Sequence, residues 1–155
     1  MEMIMNFKMI PKACTCGQTH GRTTQHAVIE AGCLKDFDDR LAGAGLRGHR
    51  AAIYDTNTYL AEGLLRPVAE QEIILPAEGL IADDGAGASV LAQLGVNTDI
   101  LIAIVSGTTH DIVRYCAHKL GLPFVSGPTS ASTDGHATHC SHTTSPPMRV
   151  IVPAG

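Results

Sequence analysis

The sequence predicts an α/β fold, a parallel sheet with flanking helices, and three observations carry that expectation. Apolar strand-like runs alternate with helical stripes from about residue 25 to residue 127. Aromatic residues make up only 4% of the chain and tryptophan is absent, a composition that suits a covered sheet with close small-residue helix contacts better than a sandwich. The runs end in turns of Ser, Thr, Asp and Gly that are able to cap the next helix. At 155 residues the chain is long enough to bury roughly 70% of its unfolded surface in one core.

Gln25 to Glu30 reads as a short strand, and Gly32 to Ala44 as a helix with Leu34, Phe37, Leu41 and Ala44 on one face. Gly45 and Gly48 punctuate its end. Arg50 to Tyr54 is an apolar strand that stops at Asp55-Thr56-Asn57-Thr58, which caps a helix expected through Ala61, Leu64, Leu65 and Val68. Glu72 to Leu75 forms the next strand. Asp83 to Leu94 offers a helix weakened by Gly85 and Gly87, each costing up to ~1 kcal/mol relative to Ala. The strand Asp99 to Val105 leads directly into a helix, Thr109 to Leu120, striped with Ile112, Val113, Cys116, Ala117 and Leu120 and stopped by Gly121. Pro123 opens a last parallel strand through Gly127. After the turn-forming residues 128–135 the pattern dissolves, so 1–24 is expected as an N-terminal extension, 25–135 as a nucleotide-binding α/β domain and 136–155 as an irregular tail.

Composition removes several classes of function. A net charge of -4 with 11 basic residues gives no electrostatic footprint for nucleic acid. No apolar run approaches the ~20 residues of a membrane-spanning helix, and the opening residues do not make a signal peptide. Five cysteines, an odd set with Cys116 on a buried helix face, suit a reducing compartment, by default the cytoplasm.

Three loops follow three strands and share one sheet edge, where open parallel sheets bind ligands. Ser106-Gly107-Thr108-Thr109 presents backbone N–H groups at a helix N-terminus, whose dipole is worth about half a positive charge and favours phosphate. Asp55 is either the acceptor for a ribose diol or a plain helix cap. Thr129, Ser130 and Ser132 are able to line the remainder, and Asp134 either binds a substrate hydroxyl or stabilises an Asp-Gly turn. Together the three loops describe a dinucleotide cleft. Two clusters, Cys14, Cys16, His20 and His136, His139, Cys140, His142, hold metal-capable atoms without a well-attested zinc spacing. No metal is assigned to them.

Four segments carry a family resemblance: Asp55-Thr56-Asn57-Thr58-Tyr59; Ser106-Gly107-Thr108-Thr109-His110-Asp111 with Ile112-Val113-Arg114-Tyr115; Lys119-Leu120-Gly121-Leu122-Pro123-Phe124; and Pro128-Thr129-Ser130-Ala131-Ser132-Thr133-Asp134-Gly135. In order and spacing they resemble the sn-glycerol-1-phosphate dehydrogenases, of the dehydroquinate synthase-like and iron-containing alcohol dehydrogenase superfamily. Cys14-Thr15-Cys16-Gly17 with His20 resembles the opening of bacterial members, so the likeness runs from about Cys14 to Gly135.

The resemblance implies a Rossmann-like N-terminal domain of the dehydroquinate synthase-like fold, and reduction of dihydroxyacetone phosphate to glycerol 1-phosphate with NAD or NADP as cofactor. It implies that Val105, Ser106, Gly107, Thr108 and Thr109 face the pyrophosphate, that Thr129, Ser130, Ala131 and Ser132 line the cofactor with Thr138, that Asp55 lies at the adenosine ribose, and that Asp134 contacts substrate. The family's zinc or nickel sits in a helical C-terminal domain that is absent from these residues, so none inherits a metal ligand. A partial chain without turnover is expected, which either self-associates as a homo-oligomer through an uncovered face or is unstable. The alternatives are a non-catalytic nucleotide-binding module and a dehydroquinate synthase-like lyase. Three positions depart from the family: Val105 stands for Gly and is expected to crowd the phosphate, His110 for Asn, and His136 for an aromatic or aliphatic residue.

Overall fold

The computed structural model describes residues 31–129 throughout, with strand segments on either side. Four short strands come first: β1 (Met3–Asn6), β2 (Lys12–Ala13), β3 (Thr19–His20) and β4 (His26–Ile29). A 3-10 turn, Cys33–Asp36, then runs into α1 (Phe37–Gly43). The sheet-forming part follows as β5 (His49–Asp55), α2 (Thr56–Tyr59), β6 (Gln71–Leu75), α3 (Asp84–Gln93), β7 (Thr98–Val105), α4 (Gly107–Leu120) and β8 (Phe124–Pro128). Two further strands, β9 (Cys140–Ser145) and β10 (Met148–Pro153), complete the elements.

β6, β5, β7 and β8 lie side by side in that order and all run parallel. The central pair is buried on both faces, as continuous apolar runs such as Ala51-Ala52-Ile53-Tyr54 and Ile100-Leu101-Ile102-Ala103-Ile104-Val105 require. Period two divides these side chains into two cores. Ala51, Ile53, Ile73, Leu75, Leu101, Ala103 and Val105 pack against Val90 of α3 and Ile112, Val113, Cys116 and Ala117 of α4. Ala52, Tyr54, Ile100, Ile102 and Ile104 pack on the other face against Leu41 of α1, with Tyr59 and Leu64 from the segment after β5.

Several elements differ from the sequence expectation. The strand expected at residues 25–30 exists as β4, but it pairs antiparallel with β1, Met3 opposite Ile29, outside the parallel sheet. The helix expected over 32–44 is divided into the 3-10 turn and α1. The helix expected through Val68 stops at Tyr59, because Gly63 takes a left-handed φ of 76° and Pro67 has no N–H to continue a helical ladder. Leu65 and Val68, which that helix would have buried, stand in solvent, as does Leu60. In the expected irregular tail, β9 and β10 pair antiparallel, with Thr143 opposite Val150. β-Branched residues on both segments favour the extended state.

The helix weakened by glycine does form. Asp83 caps it, its Oδ1 accepting the Ala86 N–H at 2.7 Å, and Gly87 is needed where α3 meets α4. A Cβ on Gly87 would come within 2.8 Å of the Tyr115 ring. The Gly87 carbonyl also accepts the Cys116 thiol at 3.5 Å. Gly87→Ala therefore gains helix propensity but loses this fit, and unfolding in urea should show it destabilised by about 1–3 kcal/mol.

Candidate functional site

The parallel sheet places the site by its connections. From β5 the chain crosses to β6 on one side, over the face that holds α1; from β7 it crosses to β8 on the other side, through α4 on the opposite face. Neighbouring strands whose connections part in this way leave a crevice beyond their carboxyl ends. A cleft of about 610 Å³ occupies that position, within the size range of small-molecule sites.

Asp55 ends β5 and is 5% exposed. Its Oδ1 accepts the Thr58 N–H at 2.8 Å, capping α2, while Oδ2 accepts the Thr58 hydroxyl at 3.1 Å and the Thr109 hydroxyl at 3.3 Å. The carboxylate thus ties the loop after β5 to the first turn of α4. Of the two roles left open for it, the cap is formed. Thr56 adds a second tie, its hydroxyl accepting the Ala77 N–H at 3.0 Å from the segment after β6.

The N-terminus of α4 opens into the same cleft through Ser106, Thr108 and Thr109. Its first intrahelical bond runs from the His110 N–H to the Ser106 carbonyl, and Ser106 makes no side-chain cap. The N–H groups of Gly107, Thr108 and Thr109 consequently meet no acceptor among the described residues. Three unpaired donors at the positive end of a 14-residue helix suit an anion.

Thr129 reaches the cleft rim because its N–H bonds the Val105 carbonyl at 3.2 Å. Val105 itself does not line the cleft. Its side chain is fully buried in the core beneath α4, so its Cβ does not narrow the cleft. Ser130, Ala131, Ser132, Asp134, His136, Thr138 and His139 lie outside the described residues, as do Cys14 and Cys16. Among the described residues no group of three His, Cys, Asp or Glu side chains is arranged to hold a metal ion.

The cleft also contains residues to which the sequence assigned no part in a site. Glu62, Leu64 and Leu80 line it beside Asn57. The helix expected through Val68 concealed the first two, although Gly63 and Pro67 were the signal that this segment is a loop.

Beside the cleft, α4 buries His110 and Arg114, 1% and 3% exposed, in addition to Thr109. His110 Nε2 lies 3.3 Å from Arg114, whose guanidinium can only donate, so the ring is neutral with its proton on Nδ1. The ring meets Phe124 edge-on at 5.1 Å. Burial holds the His110 pKa below its usual value, against the opposing pull of Asp111. On the other sheet face the Tyr54 hydroxyl is buried with no hydrogen-bond partner among the described residues, and burial pushes its pKa up to about 12.

A parallel sheet whose strand tips and helix N-terminus enclose one cleft places the protein among the open parallel α/β folds. More narrowly, the chain belongs to the iron-containing alcohol dehydrogenase family, whose sequence profile matches residues 28–150. A glycerol-1-phosphate dehydrogenase (NAD(P)+) of Bacillus licheniformis is 33% identical over 144 residues, covering 86% of this chain and 36% of that protein. One from Halalkalibacterium halodurans is 27% identical over 145 residues, with the same coverage. The chain spans about a third of the length of these curated relatives. Among solved structures, a probable glycerol dehydrogenase from Sinorhizobium meliloti 1021 superposes with a TM-score of 0.57 at 20% identity, over 72% of this chain and 30% of that one. Glycerol dehydrogenase from Schizosaccharomyces pombe gives 0.52 at 20% identity, with the same coverage. These two likenesses show the fold.

Two measurements check the geometry. Asp55→Ala removes three hydrogen bonds from a buried carboxylate and should cost about 2–4 kcal/mol in denaturant unfolding, with Thr109→Val costing less. Because the folded pKa of His110 is lowered, its stabilising contribution is complete above its unfolded value of about 6.5 and is lost as pH falls from there through the lower folded value. Between pH 7.5 and 5.5 the parent chain should therefore lose more stability than His110→Asn.

Proposed function

We propose that this chain binds the NAD(P) dinucleotide of a glycerol-1-phosphate dehydrogenase, which interconverts dihydroxyacetone phosphate and sn-glycerol 1-phosphate. The observation that carries the reading is the convergence of Asp55, Thr129 and the three open N–H groups of α4 on one cleft. The pyrophosphate sits at the α4 N-terminus. Adenosine lies toward Asn57, Leu64 and Leu80, the apolar pair flanking its base, and nicotinamide toward Thr129 and the segment after it, where the family resemblance puts Ser130, Ala131, Ser132, Thr138 and the substrate contact Asp134.

Asp55 holds the two phosphate-side loops at a fixed separation rather than binding ribose, since its oxygens are engaged and nearly sealed from solvent. When bound, the cofactor supplies the hydride, while the family's divalent metal polarises the ketone. The part played by these residues is to bind the dinucleotide, orient it and shield its phosphates. No ligand role toward a metal is assigned to any described side chain. The glycerol-1-phosphate dehydrogenase names of the curated relatives favour this reading over the lyase. The buried free thiol of Cys116 suits the cytoplasm.

Titration of the chain with NADH, followed by nicotinamide fluorescence, tests the proposal directly. Gly107→Pro sharpens it, because proline is well tolerated at the first helical position yet removes one of the three open N–H groups. The extended backbone of Ser106, at ψ 179°, is compatible with a following proline. This variant should keep its stability and bind NADH about tenfold more weakly. Unchanged affinity would remove the pyrophosphate from this helix.

A further inference from the structure

We propose that Glu62 makes this cleft select NADH over NADPH. The proposal rests on the dinucleotide reading above and adds to it the choice between two cofactors that differ by one phosphate. Among the described residues, Asp55 and Glu62 are the only ionisable side chains lining the cleft. Both are acids. The positive end of α4 is the sole electropositive feature described there, and the pyrophosphate uses it.

The two carboxylates are not equivalent. Asp55 is buried and already accepts from Thr58 and Thr109, which leaves it poorly placed to read a ribose. Glu62 is exposed and, among the described residues, makes no hydrogen bond or ion pair. It lines the same cleft as Asn57, Leu64 and Leu80, the side toward which the dinucleotide reading directs adenosine and its ribose. Gly63 turns the chain directly after it through a left-handed φ of 76°, keeping Glu62 in a loop rather than on a helix face.

A free carboxylate there accepts hydrogen bonds from the 2′- and 3′-hydroxyls of NADH, as acidic residues do in dinucleotide sites. A 2′-phosphate in the same place has no hydroxyl to donate and carries close to two negative charges. The cation nearest in the loop, Arg66, is drawn elsewhere: its guanidinium lies 4.3 Å from the centre of the Tyr59 ring. It does not line the cleft. Repulsion between a dianion and a carboxylate about 6 Å apart, screened as in water, corresponds to about a tenfold difference in affinity.

The experiment is a pair of titrations of the chain, with NADH and with NADPH, in parent and Glu62→Gln forms at low and physiological salt. The expected result is NADH binding at least about tenfold tighter than NADPH in the parent. In Glu62→Gln the ratio should fall to within about threefold, and in Glu62→Arg it should invert. The parent's preference should shrink as salt rises. Equal affinities in the parent, or a ratio that survives Glu62→Gln, would overturn the proposal while leaving the dinucleotide reading in place. Failure of both cofactors to bind would overturn that reading and this proposal with it.

Discussion

The carboxylate of Asp55 is the constraint on which the cleft depends. It lies at the tip of β5, the strand from which the chain crosses one way to β6, and it reaches Thr109 at the start of the helix that leaves β7 the other way. A charge that is 5% exposed requires acceptor and donor to match closely. Thr58 and Thr109 provide the match with an N–H and two hydroxyls, and in doing so they fix how far apart the two loops stand. The open N–H groups of α4 then face a space of set width instead of a loop free to fold over them.

Much of the sheet was legible because its two central strands are buried on both faces. Runs such as Ile100 to Val105 admit no other common reading once bounded by Asp99 and the Ser-Gly-Thr-Thr turn. The segment after β5 misled because Ala61, Leu64, Leu65 and Val68 fall at helical spacing, although the chain cannot carry a helix past Gly63 and Pro67. Local apolar spacing says nothing of what a side chain meets, and here Leu60 and Val68 meet water. The antiparallel pairing of β1 with β4 was invisible for a related reason: short strands take their partners from distant sequence, which no local period records. In the site, the helix-terminal amides and Asp55 were readable from turn chemistry. Glu62, Leu64 and Leu80 depended on the path of loops and were not.

Two departures from the family pattern find a place in the packing. The resemblance set Val105 against a glycine, with the expectation that a bulky residue at this turn obstructs a ligand. Here period two sends its side chain into the core shared with Ile112 and Val113, leaving only its carbonyl at the rim to hold Thr129. His110 replaces an asparagine and is buried beside a permanent cation. The neutral tautomer resolves that conflict, since an unprotonated Nε2 accepts from Arg114 where a charged ring would repel it. Both substitutions are absorbed by the body of the domain rather than by the cleft.

The meeting of α3 and α4 has a chemical consequence of its own. The Cys116 sulfur sits where Gly87 lets the helices approach, fully buried, with burial raising its pKa to about 12. A thiol held protonated and out of reach is inert to alkylating reagents and peroxide, whereas Cys33 is partly accessible. Covalent capture of Cys116 therefore requires the two helices to separate, and the pace of that capture is a built-in clock for the breathing of this seam.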